Sequence, residues 1–106
     1  MSEITVTARA RAKSGKEKEL EDALRAVTGP THAETGCRRY AVHRDLQDKS
    51  SFLIVERWAS IADHQAHMAT PHVQELFRKV PGLVAAPPEI LTFELLPMGD
   101  RSKGTL

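Results

Sequence analysis

The sequence of 106 residues has little cysteine, few aromatic side chains and almost no net charge. Its single cysteine, Cys37, excludes an internal disulfide and a cysteine-rich zinc site. The formal net charge is +1 with both signs scattered, which argues against a nucleic-acid-binding surface. No apolar segment follows Met1, and no apolar run reaches the roughly 18 residues of a membrane span. These absences favour a cytoplasmic protein with neither nucleic acid nor membrane as a partner.

Only five aromatic residues are available to fill a core. A chain of this length buries roughly two-thirds of its unfolded surface, so the core is modest. Small cores of this kind often gain stability from a partner subunit. We predict one domain over residues 1–97, followed by a polar tail over residues 98–106 that frays.

The N-terminal third changes from a strand pattern to a helix pattern. Apolar and polar side chains alternate strictly over residues 4–12, which is typical of a strand with one buried face. An S-x-x-E capping box that opens at Ser14 predicts the start of a helix. The Gly-Pro pair at Pro30 is expected to interrupt this helix, with a further turn reaching about Glu34.

The remaining chain adds three strands and a second helical segment. Strands are predicted over residues 37–45, 51–59 and 89–96. Ser60 is predicted to cap the second helix, and Thr70 to cap its restart at Pro71. The order β-α-β-β-α-β is the ferredoxin-like split βαβ arrangement of an α+β fold. It predicts a four-stranded antiparallel sheet with its helices on one face.

The other face of this sheet also carries apolar side chains. The third strand is nearly continuous in apolar residues from Phe52 to Val55, which suggests burial on both sides. The chain has no further element to cover the second side. We therefore predict a homodimer in which two sheets pack together. Alternation leaves open which side of the second strand faces the helices.

One carboxylate stands among the apolar residues of the third strand. Phe52, Ile54, Glu56 and Trp58 share one face of that strand, because alternate side chains point the same way. Burying a carboxylate costs several kcal/mol unless it is paired or protonated. Glu56 therefore either pairs with an arginine of a neighbouring strand, Arg9 or Arg39, or is a carboxyl of raised pKa in a pocket.

Three histidines follow within a short distance. His64 and His67 lie at i and i+3 and so neighbour each other on a helix, and His72 follows the proline. This spacing permits metal chelation, but no Asp or Cys completes a zinc set at a familiar spacing, so no metal is assigned. Packing is one alternative, and proton transfer by a neutral imidazole is another. Trp58 is either a core residue or a wall on which a ligand stacks.

These residues together resemble the antibiotic biosynthesis monooxygenase (ABM) domain family, in particular its quinol monooxygenase-like members. The resemblance covers residues 3–97 and includes "ETGCRRYAVHRD", "VERWASIADHQAHMATPHV" and "PEILTFELLP". It implies a dimeric α+β barrel with a pocket between the sheet and helices of each protomer. It also implies oxidation of a small aromatic substrate by O₂ without a metal or flavin cofactor.

The resemblance also suggests roles for individual residues. Ile54 stands where polyketide-oxidising members carry Asn, and His64 where they carry Tyr, which argues against that substrate class. Haem degradation is disfavoured because the residues that it requires are replaced. We predict His67 as proton acceptor with His64 or Glu56 assisting, and a substrate site formed by Trp58, Tyr40, Ile54, Phe77 and His72. Two alternatives are a non-catalytic dimeric ligand-binding or stress-associated domain and an isomerase of a small phosphorylated ketone.

Overall fold

The computed structural model describes residues 2–106 and has an α+β fold built on one antiparallel sheet. The strands are β1 (Ile4–Arg11), β2 (Cys37–Arg44), β3 (Ser51–Trp58) and β4 (Glu89–Phe93). The helices are α1 (Glu17–His32), α2 (Ile61–Met68) and α3 (Pro71–Lys79), the last followed by a 3₁₀ turn at Val80–Gly82. The element order confirms the predicted ferredoxin-like fold, with α2 and α3 as two parts of the second helical segment.

The four strands lie in the order β2-β3-β1-β4, and every neighbouring pair is antiparallel. In this register Glu56 of β3 lies opposite Val6 on one side and Tyr40 on the other. All three side chains are buried beneath the helices. The register therefore shows which side of β2 faces the helices: Tyr40 points towards them.

Helix α1 covers this inner face with the apolar stripe expected from its spacing. Its buried residues are Leu20, Ala23, Leu24, Val27 and Thr31. They pack with the inner residues of β3, of which Phe52, Ile54 and Trp58 are almost inaccessible to solvent. The core therefore lies between the helices and one face of the sheet.

The predicted capped start of α1 and its predicted interruption at Pro30 are both wrong. The helix begins at Glu17 after Lys16, and no side chain caps it, because Gly15 adopts a left-handed conformation (φ +84°) and forms a turn after Ser14. The helix also continues through Pro30 to His32. Thr31 is fully buried there and its hydroxyl donates to the carbonyl of Val27 at 2.7 Å, so tertiary packing holds the last turn despite the proline.

The starts of α2 and α3 follow the predicted capping. The hydroxyl of Ser60 accepts a hydrogen bond from the backbone N–H of Asp63 at 3.1 Å. The hydroxyl of Thr70 accepts one from the N–H of Val73 at 3.4 Å, and Pro71 occupies the first turn of α3. These two caps set the short break that separates the two helices.

Strand β4 is shorter than predicted and all of its residues are exposed. It ends at Phe93, which pairs with Thr5 of β1. Beyond the strand, residues 98–106 include a turn in which Asp100 accepts backbone hydrogen bonds. The carbonyl of Leu106 accepts a hydrogen bond from Arg57.

The outer face of the sheet, away from the helices, carries an apolar patch. We call this the outer patch; it consists of Leu53, Val55, Leu91 and Phe93. Leu91 is 45% exposed and Phe93 46% exposed, while the two β3 residues are half-buried. Within residues 2–106, none of the helices has the length and apolar character needed to cross a bilayer.

Candidate functional site

A small cavity lies between the inner face of the sheet and helices α2 and α3. Its volume is about 50 Å³ and most of its lining is apolar. Of the predicted site residues, the structure places Tyr40, Ile54, Glu56, His64, His67 and Phe77 in the lining. The cavity thus brings together residues from β2, β3, α2 and α3.

Glu56 lies in this lining as a buried carboxyl, and among residues 2–106 it has no arginine partner. Its Oε1 accepts a hydrogen bond from the indole N–H of Trp58 at 2.9 Å, and the residue is only 3% exposed. Burial raises the pKa of Glu56 to about 7, while the indole hydrogen bond opposes this rise. Of the two interpretations offered by the sequence, the structure therefore supports the raised pKa over the arginine pair.

Trp58 lies behind the cavity rather than in its wall. The indole is fully buried, and its ring centroid lies 4.5 Å from that of His67 and 5.8 Å from that of His64. This position differs from the predicted stacking wall because the indole N–H turns towards Glu56 on the same strand face. Trp58 therefore packs against His64 and His67 from the side that faces away from the cavity.

His67 is the buried histidine of α2. Its Nδ1 lies 2.8 Å from Oε2 of Glu34, and its ring is packed between Trp58 and Tyr40. A carboxylate accepts hydrogen bonds, so Nδ1 carries the proton and Nε2 keeps a free lone pair. Burial lowers the pKa of His67, although the hydrogen bond to Glu34 opposes this shift. The imidazole is therefore neutral near pH 7.

Glu34 is a site residue that the sequence analysis did not consider. It follows α1, and its Oε2 also lies 2.8 Å from Nε2 of His72, in the first turn of α3. His72 itself does not line the cavity. Among residues 2–106, Glu34, His67 and His72 form a set whose ligand atoms all lie within 4.8 Å of one another. The sequence feature that could have drawn attention to Glu34 is the motif E-x-G-C, in which Glu34 is the first residue.

Two further titratable groups of the cavity, His64 and Tyr40, are also held in their neutral forms. Burial, together with the neighbouring His67, lowers the pKa of His64. Burial raises the pKa of Tyr40, and the charge of Glu56 adds to the rise. Near pH 7 the cavity therefore presents neutral imidazoles and a phenol among apolar walls, which suits proton exchange with an apolar ring compound.

Comparison with known proteins gives consistent results along most of the chain. The sequence model of the family described as "Antibiotic biosynthesis monooxygenase" matches residues 3–79. The Bacillus subtilis (strain 168) protein named "Putative monooxygenase YcnE" is 25% identical over 92 residues, which cover 87% of this chain and 97% of that protein.

Solved structures show the same fold. PA3566 from Pseudomonas aeruginosa is similar with a TM-score of 0.85 and 30% identity, covering 91% of this chain and 96% of its own. Rv0793 from Mycobacterium tuberculosis is similar with a TM-score of 0.84 and 26% identity, covering 93% and 98% respectively. The likeness extends over nearly the full length of both proteins.

Proposed function

The chain belongs to the antibiotic biosynthesis monooxygenase family, and from this premise we propose that it is a cofactor-independent monooxygenase of small, hydroquinone-like aromatic substrates. The observation that carries the proposal is His67. It is a buried, neutral imidazole that lines an apolar cavity and is oriented by a carboxylate 2.8 Å from its Nδ1. A base held in this way is typical of proton-transfer sites.

The reaction begins with the loss of a proton from a substrate hydroxyl to Nε2 of His67. Glu34 then stabilises the imidazolium that forms, because its carboxylate accepts the proton-bearing Nδ1. Glu34 is a positioning residue in this scheme, since it acts through His67. The lowered pKa of His67 keeps the acceptor unprotonated at neutral pH.

The substrate anion supplies the electrons for the reaction with O₂. One ring C–H becomes C–O–O–H, and loss of water from this hydroperoxide leaves a ring carbonyl. The substrate thus gains one oxygen atom and loses two hydrogens, while the second oxygen atom leaves as water; no external reductant is consumed. The apolar lining keeps bulk water from the anion and from the peroxide.

Glu56 assists at the other side of the cavity. With its pKa raised to about 7, a large fraction of Glu56 is protonated near neutral pH. One of its oxygens is engaged by Trp58. A protonated carboxyl can donate a hydrogen bond to the second oxygen of a dihydroxy-aromatic ring, which would orient the ring against His67.

The volume of the cavity limits which substrate can enter without rearrangement. A cavity that holds benzene has a volume of about 150 Å³, whereas this one has about 50 Å³. Half-buried Met68 and Phe77 line it and are packed at the margin of the core. Ring binding therefore requires these side chains to turn outwards, and the flexible thioether of Met68 suits such a movement.

Oxygen uptake with a menadiol-type quinol tests the proposal. We expect uptake above the protein-free rate for the parent chain and its loss in His67→Gln. The matched control is His43→Gln, because His43 is an exposed histidine of β2 that does not line the cavity. Equal uptake in all three proteins would remove His67 from the mechanism, and no uptake in any of them across a series of quinols would overturn the oxygenase proposal.

The same small volume favours a second candidate, a non-catalytic dimeric domain whose pocket binds an apolar ligand or is filled by its own side chains. Thermal melting in the presence of small aromatics separates this candidate from an empty core, since a ligand that binds the native state raises the melting temperature. Ligand stabilisation without oxygen uptake would support the binding domain. Isomerisation of a phosphorylated ketone is less well supported, because Arg9 is the sole arginine or lysine in the lining among the described residues.

We also propose that the protein is a homodimer joined through the outer patch. Leu53 and Val55 on β3 and Leu91 and Phe93 on β4 form two apolar pairs on the outer face, which flank Thr5 and Thr7 of β1. A second sheet packed against it would remove this surface from water. Sedimentation at micromolar concentration should give twice the 11.7 kDa of one chain; a stable single-chain mass would contradict the proposal.

A further inference from the structure

Three side chains from separate elements converge at one edge of the helical layer. Glu34 follows α1, His67 lies in the last turn of α2, and His72 lies in the first turn of α3. The same carboxylate oxygen, Oε2 of Glu34, lies 2.8 Å from Nδ1 of His67 and 2.8 Å from Nε2 of His72. From this geometry we propose that Glu34, His67 and His72 bind a divalent transition ion, Zn²⁺ in particular.

The donor set matches the chemistry of zinc. Two imidazole nitrogens and one carboxylate oxygen form a recognised three-ligand zinc set, which leaves a fourth position for water. Ligand bonds of about 2.0–2.1 Å place tetrahedral donors roughly 3.3 Å apart. The two Glu34 contacts at 2.8 Å would widen by about half an ångström, and the two imidazole nitrogens, which lie within 4.8 Å of each other, would approach the same spacing.

An ion can reach this position from solvent. The side chain of His72 is 20% exposed and that of Glu34 is 16% exposed, whereas His67 is buried at 4%. The buried ligand is fixed by its contact with Trp58, and the cap formed by Thr70 fixes the start of α3. Two of the three donors are thus partly exposed to solvent, and the third is buried beneath them.

Zinc binding has a direct consequence for the base, which rests on the function proposed above. An imidazole that coordinates a metal through Nδ1 carries its proton on Nε2. Nε2 is the nitrogen that accepts the substrate proton in the proposed mechanism, and in the zinc-bound form it can only donate. The ion would therefore inhibit the oxygenase.

Calorimetric titration of the full chain with Zn²⁺ tests the site independently of activity. We expect one ion per chain for the parent protein. Loss of an outer-shell partner typically weakens metal binding about 10–100-fold, so removing a direct ligand in Glu34→Gln or His72→Ala should cost at least as much. The matched control His43→Ala should bind like the parent, because His43 lies away from the set on β2. Co²⁺ offers a second readout through the visible absorption of a tetrahedral complex.

Two results would overturn the metal site: no saturable binding by the parent, or equal binding by His72→Ala and His43→Ala. Neither result would affect the proposed oxygenase activity. Binding without inhibition of oxygen uptake would instead leave the metal site intact and argue against His67 as the base. Inhibition of the parent at the concentration that saturates the calorimetric site, with resistance in His72→Ala, would support both proposals.

Discussion

The two faces of strand β3 differ sharply although they belong to the same eight residues. On the inner face Phe52, Ile54, Glu56 and Trp58 are all buried, and on the outer face Leu53, Val55 and Arg57 are all half-buried. The helices of the chain complete the inner face. The C-terminal Leu106 reaches the outer face at Arg57, but Leu91 and Phe93 of β4 remain 45% and 46% exposed. These exposed apolar residues indicate where a second molecule would pack.

The inner face also satisfies the polar groups that it buries. Among residues 2–106, no buried side-chain nitrogen or oxygen lacks a hydrogen-bond partner. The carboxyl of Glu56 is buried on this face with the indole of Trp58 as donor. A buried polar group on a closed apolar face thus coincides with the cavity, whereas the polar groups of the outer face, such as Arg57 paired with Glu3, lie at a partly exposed surface. We therefore interpret the inner face as the candidate binding site and the outer face as the proposed dimer interface.

The largest expected effect is the loss of the inner core residue Trp58. Trp58→Ala should lower the free energy of unfolding by about 3–5 kcal/mol, because the indole is fully buried and would leave a cavity. Urea denaturation monitored by circular dichroism measures the change. As a control, Ile61→Ala should change stability by no more than about 0.5 kcal/mol, since Ile61 is 56% exposed. A cost for Trp58→Ala below about 1 kcal/mol would contradict a closed inner face.

The next effect concerns the outer face. Val55→Asp would place a carboxylate in the proposed sheet-to-sheet contact, and burial of an unpaired charge costs several kcal/mol. We expect association to weaken at least about 100-fold, while the helical circular dichroism of the protomer persists. Leu46→Asp is the control, because Leu46 is 95% exposed outside the outer patch. An unchanged sedimentation mass for Val55→Asp would show that the outer patch is not the interface.

A smaller effect is the pH dependence that Glu56 adds to stability. Its pKa rises from 4.5 to about 7 on folding, so the native state binds the proton more tightly than the unfolded state. The sign of linkage then requires stability to fall as pH rises from about 4.5 to 7 and to level off above that range. Glu56→Gln should remove this fall, giving a gain over the parent of up to about 3 kcal/mol above pH 7.

Denaturation profiles across pH 4–8 measure this difference. Glu19→Gln is the control, since the side chain of Glu19 is 59% exposed on α1. Parallel profiles for the parent and Glu56→Gln would show that Glu56 has an ordinary pKa in the folded protein.

The smallest effect concerns the caps that hold the helices over the inner face. Thr70→Ala should cost about 1 kcal/mol, because the Thr70 hydroxyl caps α3. Ser14→Ala should cost nearly nothing, because Ser14 makes no cap although its sequence context suggests one. Thermal melting of both variants compares them directly. A larger loss for Ser14→Ala than for Thr70→Ala would reverse the assignment of the caps.

The fold was predictable because its signals are local. Strict alternation over β1, the buried stripe of α1 and the caps at Ser60 and Thr70 depend on residues two to four positions apart. The errors arose where tertiary packing overrides a local preference. Pro30 remains within α1 because the buried Thr31 anchors the last turn. The helix-breaking preference of proline does not take such a tertiary contact into account.

The candidate site was predictable only in part. The inner-face neighbours Ile54, Glu56 and Trp58 follow from strand alternation, and His64 and His67 follow from helical spacing. Their arrangement does not: Trp58 supports the cavity from behind, and its indole N–H turns to the carboxyl of Glu56. Which of several neighbours a side chain contacts depends on rotamers and packing, which alternation cannot specify.

The amino-acid sequence by itself determined the family, through the resemblance of its motifs. It also determined the order of the strands and helices and which side of β3 is buried, because both depend on periodicity along the chain. Only the tertiary structure decided that Glu34 meets His67 and His72, which lie 33 and 38 residues further on. Contacts over such separations depend on how the end of α1 packs against the junction of α2 and α3. No local pattern encodes that packing.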